Sequence, residues 1–344
     1  MKLYEIILKP RSGFGTPLKG DTIFGHFCWQ AVHDRGLLDG GLEQWIARYA
    51  ERPFAVFSSA WPKFCHEGEW FYAFKRPDLP LSWIFPDSSQ TKRKRMENRK
   101  KDAAKKWLLI PETLEFSLTE NRYLNDGKLM DMVTGELLQD TRARLKDRDH
   151  RTLTSNFIQT HNTINRLTQT TGEGMFAPYA QTATFYYPET ELALFVLIDE
   201  EATDIDRVRA GLERIGQFGF GRDATAGRGR FDLGEDEEKV LPSSRGNAYY
   251  TLAPVVPDKG VFKEVYFSPF IRYGRHGDTM ATSSDPFKNP VIMADEGAVF
   301  LSGDGTVPSK PYLGRPARNV SKILPETVVQ GYAPYLPFTL ETLL

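Results

Sequence analysis

The spacing of apolar residues in the first part of the chain predicts a strand followed by a helix. Leu3 to Lys9 alternates weakly and is rich in β-forming residues, so we expect a first strand that ends at Pro10. Apolar residues then recur at four-residue spacing and predict a helix that Asp21 or Thr22 would cap. The buried face of that helix is expected to hold Ile23, Phe24, Phe27, Cys28, Ala31 and Val32.

Further runs of apolar and aromatic residues predict two hairpins and one isolated strand. Pro53 to Ala60 and Glu69 to Lys75 lie on either side of a polar connection. Thr184 to Tyr187 and Leu192 to Ile198 lie on either side of a Pro-Glu-Thr-Glu segment, which is typical of a turn. A single strand is predicted at Thr113 to Leu118, where alternate residues are apolar.

A second helix is predicted after the second hairpin, and it leads into a glycine-rich segment. Thr203 matches the Ser/Thr-x-x-Asp/Glu start signal, and Gly216 would supply a left-handed stop. A short strand from Arg230 to Leu233 closes the series. With the elements between the first helix and residue 184 taken as insertions, the order is β-α-β-β-α-β, that of the ferredoxin-like fold, which RNA-recognition domains also use. The buried stripe of the second helix is expected to contain Ile205, Val208, Leu212 and Ile215.

The length of the chain, 344 residues, is sufficient for two domains of the α+β class. We expect residues 1–240 to form the first domain, with an insertion at about residues 85–151 and a glycine-rich loop at residues 216–230. Residues 241–344 are expected to form a second, strand-rich domain, whose topology the pattern does not define. The polar insertion is expected to be partly mobile until it meets a partner.

Composition points to a soluble protein of a reducing compartment. The chain has no basic-then-apolar leader and no apolar run of membrane-spanning length, so we expect a cytoplasmic protein without a membrane contact. Cys28 and Cys65 are the only cysteines, which leaves neither a disulfide framework nor a cysteine zinc site. The pattern of the first helix places Cys28 in the core. No cofactor motif is present.

Basic residues are concentrated in two segments of the insertion. Lys92 to Lys106 contains nine basic and two acidic residues, and Arg142 to Arg151 contains five and two. The segments together carry +10, so the rest of the chain carries −11 within the net charge of −1. Such blocks either contact polyanions or remain solvated, and we favour a nucleic acid contact. The acidic run Glu235 to Glu238 is interpreted as a solvated linker.

The segment from Gly216 to Phe231, GQFGFGRDATAGRGRF, is the most informative in the chain. It holds five glycines and three arginines, and free backbone N–H groups together with arginine side chains suit phosphate oxygens, so we interpret it as an anion-binding loop. It is not a nucleotide P-loop, because Gly221 and Gly227 are too far apart and Gly229 follows Arg228. A dinucleotide fingerprint would open a helix rather than follow one. The alternative is a flexible surface loop.

A second polar segment, His161 to Thr168 (HNTINRLT), could also contact nucleic acid. Its imidazole, amides and guanidinium can donate to phosphate, ribose and base edges. The alternative is a polar turn that satisfies its own backbone. His161 is also a candidate general base, with Lys19 or Arg166 for charge stabilisation, although a lone histidine is more often structural. His26 and His33 have no carboxylate at metal-ligand spacing.

Three motifs in order resemble the RAMP superfamily, and within it the Csm subunit 4 family of type III-A CRISPR effector complexes. They are KGDTIFGHFCW from Lys19, HNTINRLT from His161 and GFGRDATAGRGRF from Gly219, and they span about two thirds of the chain. The resemblance implies tandem ferredoxin-like (RRM-like) RAMP domains. It also implies that the chain contacts the repeat-derived 5′ handle of a guide RNA through Lys19, Asp21, Thr22, Phe24, Gly25, His161, Asn162, Asn165, Arg166, Thr168, Gly219, Gly221, Arg222, Gly227, Arg228 and Gly229.

The same resemblance implies a non-catalytic subunit with two protein partners. These would be the large polymerase-like Csm subunit on one side and a backbone RAMP subunit on the other, and neither a cofactor nor a metal would be required. Some relatives in the superfamily cut repeat RNA without metal. A metal-independent endoribonuclease that processes CRISPR repeat RNA is therefore the alternative function.

Overall fold

The computed structural model contains a large antiparallel sheet, a smaller C-terminal sheet and two short two-stranded ribbons. It describes residues 1–89, 91–135, 137–146, 152–240, 246–258, 260–303 and 308–341. None of the helices in these ranges combines the length and the apolar character that crossing a bilayer would require. The predicted domain boundary after residue 240 and the end of the predicted insertion, residues 147–151, lie outside the described residues.

The described residues form sixteen strands and seven α-helices. The strands are β1 (Lys2–Pro10), β2 (Ala55–His66), β3 (Glu69–Lys75), β4 (Trp107–Pro111), β5 (Arg122–Leu124), β6 (Thr154–His161), β7 (Tyr179–Tyr186), β8 (Glu191–Ile198), β9 (Phe231–Lys239), β10 (Ala248–Thr251), β11 (Glu264–Tyr266), β12 (Pro269–Arg272), β13 (Val291–Ala294), β14 (Val299–Leu301), β15 (Tyr312–Gly314) and β16 (Tyr332–Phe338). The helices are α1 (Gly20–His33), α2 (Leu42–Ala47), α3 (Leu81–Ile84), α4 (Lys92–Ala103), α5 (Asp126–Thr134), α6 (Gln139–Lys146) and α7 (Ile205–Phe218).

The N-terminal part is organised around a seven-stranded sheet in the order β5-β4-β3-β2-β8-β1-β9. Strand β8 is its central element: apart from Glu191 every residue is buried, and it pairs antiparallel with β1 on one side and β2 on the other. Helix α1 packs against β2 and α7, and α7 packs against β9. The order strand, helix, strand, strand, helix, strand occurs in β1, α1, β2, β8, α7 and β9, but β2 takes the place that was predicted for residues 184–187.

The predicted hairpin between residues 184–187 and 192–198 is wrong, because its two strands belong to different sheets. β8 lies in the large sheet, whereas β7 pairs with β6 in a separate two-stranded ribbon from Thr154↔Tyr186 to His161↔Tyr179. The physical reason is composition. A continuously apolar strand is stable only when both faces are covered, whereas β6 and β7 are largely exposed.

The predicted strand at Thr113 to Leu118 is also wrong, although its burial was predicted correctly. Leu114, Phe116 and Leu118 are buried, but the backbone is irregular and Leu114 has a φ of 60°. Phe116 stacks on Phe338, with ring centroids 4.3 Å apart. The segment therefore fills the core between the two sheets, and the insertion supplies β4 and β5 to the sheet edge instead.

Three local predictions at helix ends and in β9 differ from the structure. Helix α7 is capped by Asp204, whose carboxylate accepts the Arg207 amide at 2.9 Å, and it continues past Gly216 to end at Gly219, with a φ of 105°. Gly216 is instead a close-packing position, since a Cβ there would collide with the Phe231 carbonyl. The acidic run at residues 235–238 is part of strand β9 and not a linker.

The C-terminal part forms a five-stranded sheet in the order β11-β14-β10-β16-β15, and all of its pairs are antiparallel. No α-helix follows α7 in the described residues, so the helices that a second ferredoxin-like unit needs are not found there. One hydrophobic cluster runs through both sheets and includes Tyr250, Tyr332 and Leu336 together with Phe57 and Phe195. The strand-rich character was predicted, whereas the shared core was not.

Candidate nucleic-acid interface

The glycine-rich loop after α7 is held between two other segments of the chain. On one side it contacts the loop that follows β1: the Gly229 amide donates to the Gly13 carbonyl at 2.9 Å, and the Arg222 amide donates to Thr16 Oγ1 at 2.9 Å. On the other side it contacts the β6–β7 ribbon, because Gln181 donates to Asp223 Oδ1 at 3.2 Å. The glycine-rich loop therefore lies between the segment after β1 and the β6–β7 ribbon.

The glycines of this loop serve backbone geometry, and their amides are not free. Gly219 and Gly229 have φ values of 105° and 71°, and a Cβ at Gly229 would collide with the Phe220 backbone. The predicted cradle of unpaired N–H groups is therefore wrong for the four glycines proposed as RNA contacts, and any anion must be held mainly by side chains. The acceptors of those amides are the Ile215 carbonyl for Gly219, His26 Nε2 for Gly221, the Ala224 carbonyl for Gly227 and the Gly13 carbonyl for Gly229.

Two arginines of the loop point their guanidinium groups toward the ribbon. Arg228 is only 8% exposed, and its Nη2 donates to Gln159 Oε1 at 2.6 Å. Arg222 is half exposed, and its Nη2 donates to the Thr182 carbonyl at 2.7 Å while Nε lies 3.3 Å from Asp223 Oδ2. Within the described ranges, Arg228 forms no ion pair with a carboxylate. Its positive charge is therefore buried, and no carboxylate among the described residues neutralises it.

The face of the ribbon that meets the loop carries His161. Residues 159 and 161 alternate onto the same face of β6, and their partners on β7 are Gln181 and Tyr179. The His161 ring lies parallel to the Tyr179 ring, with centroids 5.5 Å apart. His161 Nε2 is buried and has no hydrogen-bond partner in the described part of the chain. Such orphaned polar atoms are rare in folded proteins and often mark a missing ligand or water.

The other predicted residues of this motif lie beyond the ribbon, in the turn that connects β6 to β7. Asn162, Arg166 and Thr168 are exposed there. Asn165 Oδ1 accepts the Leu167 amide at 2.9 Å, and Thr168 and Thr170 share a hydroxyl hydrogen bond of 3.0 Å. Part of the motif thus stabilises its own turn, which was the alternative interpretation, while Asn162 and Arg166 remain accessible for a partner.

Helix α1 contributes a residue that the sequence did not suggest. His26 Nε2 accepts the Gly221 amide at 3.0 Å, and the imidazole packs on Phe220 with ring centroids 4.7 Å apart. Burial lowers the pKa of His26 to about 4, so the ring is neutral at physiological pH and can act as the acceptor. Gly25 beside it faces open space, and Thr22 Oγ1 is buried with no hydrogen-bond partner among the described residues. No periodicity could have predicted this contact.

The remaining predicted contacts at the start of α1 are occupied within the protein. Lys19 Nζ lies 2.5 Å from Asp295 Oδ1 and 2.6 Å from Glu296 Oε1. Neither Asp21 nor Thr22 caps the helix; Lys19 occupies the cap position, without a side-chain hydrogen bond.

Asp21 and Phe24 are also committed to the protein interior. Asp21 binds Arg272 through two hydrogen bonds of 2.5 and 2.9 Å. Phe24 is 1% exposed and packs on Tyr49 and Phe54. Direct contacts of RNA with the Lys19, Asp21 or Phe24 side chains would require these interactions to break.

The Lys19 cluster predicts a measurable dependence of stability on pH. Burial raises the pKa of the Glu296 carboxyl to about 6, above its value in the unfolded chain. Protonated Glu296 therefore contributes stability that is fully present below the unfolded pKa and is lost as pH rises through about 6. We expect the stability advantage of the wild type over Glu296→Gln to shrink between pH 5 and pH 7.5 in urea unfolding. An advantage that grows over this interval would contradict the assignment.

A cluster of three carboxylates elsewhere in the sheet is not a convincing metal site. Glu5, Glu112 and Glu237 bring carboxylate oxygens close together. However, two lysines already lie among them: Lys63 Nζ is 3.0 Å from Glu5 and 2.8 Å from Glu112, and Lys239 Nζ is 2.6 Å from Glu237. The two ammonium groups offset two of the three carboxylate charges, so the cluster is an ion-pair network that is buried at Glu5 and exposed at Glu237.

The groups proposed for RNA cleavage are not brought together. Lys19 is bound by two carboxylates, and Arg166 lies in the exposed turn beyond the ribbon. In the described part of the chain, neither is within hydrogen-bonding distance of His161. Where the glycine-rich loop meets the ribbon, the site therefore presents cationic, aromatic and amide groups, which suit the binding of a nucleotide chain.

Comparison with known proteins gives a match at the level of structure alone. No protein-family model matches the sequence, and no curated protein matches it either. Among solved structures, a chain of the Csm1-Csm4 cassette in complex with pppApA aligns with a TM-score of 0.53 and 13% identity, over 99% of this chain and 100% of that one. A chain of the Csm3-Csm4 subcomplex of the type III-A CRISPR-Cas interference complex gives 0.53 and 13%, over 98% and 99%.

Csm4 is the component that these two assemblies share. The fold is Csm4-like. The same cassette in complex with cA4 aligns with a TM-score of 0.52 over 98% of this chain. The resemblance to the Csm4 family that three sequence motifs indicated is thus confirmed for the fold of the whole chain. The Csm4-like fold does not by itself assign a ligand, because the sequence identity is low.

Proposed function

We propose that this Csm4-like chain is a non-catalytic RNA-binding subunit of a type III-A CRISPR effector complex and that it anchors the 5′ handle of the guide RNA. The handle would lie where the glycine-rich loop meets the β6–β7 ribbon, a junction that we name the handle cleft. In this proposal the N-terminal part is a ferredoxin-like RAMP domain, and the chain bridges the large subunit to the backbone subunits.

The observation that carries the proposal is the buried guanidinium of Arg228. A buried cation is costly unless an anion accompanies it, and its single described side-chain bond is to the neutral amide of Gln159. A phosphate oxygen in the cleft would accept charge-assisted hydrogen bonds from Arg228 and from the half-exposed Arg222. Loop amides that are already paired would keep both arginines in position without competing for the phosphate.

The ribbon provides the groups that recognise bases and riboses. Tyr179 is 46% exposed and stacked on His161, so a base can stack on its outer surface. The orphaned His161 Nε2 offers a hydrogen bond to a ribose hydroxyl or a base edge. Asn162 and Arg166 in the connecting turn would extend the contact to further nucleotides. This division between phosphate and base contacts is typical of single-stranded RNA recognition.

The protein partners follow from the assemblies in which the Csm4-like fold occurs. Those structures contain Csm1 in one case and Csm3 in the other, each together with Csm4. We propose a Csm1-like large subunit and a Csm3-like backbone subunit as the partners of this chain. Co-expression of the tagged chain with each candidate would test this, and retention of neither would contradict the bridging role.

Sequencing of RNA that co-purifies with the tagged chain tests the proposed function. The expected result is one fixed 5′ sequence followed by variable sequence, because the handle is shared by all guides and the spacer is not. Random fragments would contradict handle binding. The endoribonuclease alternative is tested on labelled repeat RNA in the presence of a chelator: we expect intact RNA, whereas cleavage that His161→Ala abolishes would replace our proposal by the alternative.

A further inference from the structure

Helix α4 is an exposed, strongly cationic element that the proposed handle site does not use. Its twelve residues include seven basic and two acidic ones, and none of its side chains is buried. Within the described ranges, Arg93 is the one basic residue of the helix that forms an ion pair, with Glu97 at 3.0 Å. The other six are Lys92, Lys94, Arg95, Arg99, Lys100 and Lys101, and none of these is paired there with a carboxylate.

Contacts that do not involve its own basic side chains hold α4 in place. Arg76 at the end of β3 donates from Nη1 to the carbonyls of Asp102 at 3.0 Å and Lys105 at 2.8 Å. A cation at this position satisfies the last carbonyls of the helix and complements its dipole. At the other end Thr91 accepts the Lys94 amide. The basic side chains are therefore not needed to anchor α4.

One face of α4 gathers basic groups around a shallow hollow. Lys92, Arg95 and Arg99 are three and four residues apart, and with Met96 they line a concavity of about 320 Å³. Like charges at this spacing repel and destabilise the helix in which they lie. An anionic partner that sits in the hollow would relieve this repulsion, whereas solvent and salt relieve it only in part.

We infer that this face of α4 is a second, sequence-independent contact for the phosphate backbone of RNA. The composition favours RNA over an acidic protein. Protein interfaces are depleted in lysine and are centred on aromatic residues, whereas interfaces with nucleic acids are polar and strongly positive. On α4 the only large apolar side chain is Met96, which is 65% exposed.

The α4 face is spatially separate from the proposed handle cleft. Arg76, which holds α4, continues β3, whereas the cleft lies where the glycine-rich loop contacts the segment after β1. In the sheet, β3 and β1 are separated by β2 and β8, which corresponds to about 14 Å at the usual strand spacing. RNA that occupies both places must therefore extend over several nucleotides, and the two contacts can be removed independently.

The inference is tested by the salt dependence of RNA binding. The test variant, made in the full chain, removes the three basic residues that line the hollow: Lys92→Gln/Arg95→Gln/Arg99→Gln. The control variant removes the same number of charges from the other faces of α4: Lys94→Gln/Lys100→Gln/Lys101→Gln. The probe is an oligouridine strand without handle sequence. For the first variant we expect about tenfold weaker binding and a slope of log K against log salt that is smaller by about 2, since each phosphate contact contributes about 0.7. The control should retain most of the slope.

Two outcomes would overturn the inference. If both triple variants lose the same RNA affinity and the same salt slope, the net charge of α4 determines binding, and the face that lines the hollow does not. The second outcome concerns polyglutamate. If it binds the wild type as tightly as oligouridine does, and the first variant loses as much affinity for it, the partner of α4 is an acidic protein instead. Far-UV circular dichroism confirms that α4 persists, and Arg95→Gln alone gives a milder variant with the same expected direction. Arg228→Ala should leave the slope difference between the two triple variants unchanged, which separates this test from that of the handle cleft.

Discussion

Replacement of Arg228 by alanine is expected to weaken binding of handle RNA by about 2–3 kcal/mol, or roughly 30- to 150-fold. The side chain is almost fully buried beside Gln159, and we propose that its guanidinium forms charge-assisted hydrogen bonds to a phosphate of the handle. The measurement is fluorescence anisotropy with labelled handle RNA at two salt concentrations. Because a charge contact is lost, the difference between wild type and variant should decrease at high salt.

Two matched variants show whether the effect belongs to Arg228 itself. Arg228→Lys retains the charge but loses the planar fork, so its affinity should fall between those of wild type and alanine variant. Arg35→Ala removes an equal charge from a side chain that is 83% exposed, and should have little effect. An Arg228→Ala protein that is folded, as judged by its unfolding transition, and binds handle RNA as tightly as wild type would remove the cleft from the proposal.

Replacement of Phe24 by alanine is expected to lower the free energy of unfolding by about 3–5 kcal/mol. Phe24 is buried in an aromatic cluster, with ring centroids 4.8 Å from Tyr49 and 5.6 Å from Phe54, so the substitution leaves a cavity that rigid neighbours cannot fill. Urea unfolding measures the change. The resemblance alone would place Phe24 in the handle pocket, whereas its burial predicts an effect on stability.

The two roles of Phe24 can be separated experimentally. Phe24→Leu keeps most of the apolar volume and should lose far less stability than the alanine variant. The fraction of either variant that remains folded should bind handle RNA with nearly wild-type affinity. A variant with unchanged stability and weakened RNA binding would show that Phe24 contacts RNA directly.

The elements that the sequence predicted correctly are those whose burial pattern is strong. β1, β8, α1 and α7 have long apolar stripes, and their order gave the arrangement of the N-terminal sheet. β6 was missed because its residues are mostly exposed, so no alternation separates it from a polar loop. The apolar residues between 114 and 118 are buried without forming a strand. The spacing of apolar residues does not distinguish a buried strand from a buried irregular segment.

The sequence identifies the candidate segments but not the contacts that their groups make. The glycine-rich loop lies beside the strand that ends at His161. The loop amides, however, find partners in Gly13 and His26, which are remote in sequence. The ion pairs of Lys19 with Asp295 and Glu296 likewise join residues that are at least 276 positions apart in the sequence. Composition carries no information about such pairs.

The joint between the first turn of α1 and the C-terminal strands has a consequence for synthesis of the chain. Asp21 is buried against Arg272, and Lys19 against two acidic residues near position 295. While residues 1–240 emerge from the ribosome, these buried charges lack their counterparts and one apolar surface of the sheet stays uncovered. Residues 1–240 can therefore reach their final folded structure only after the last hundred residues have been translated.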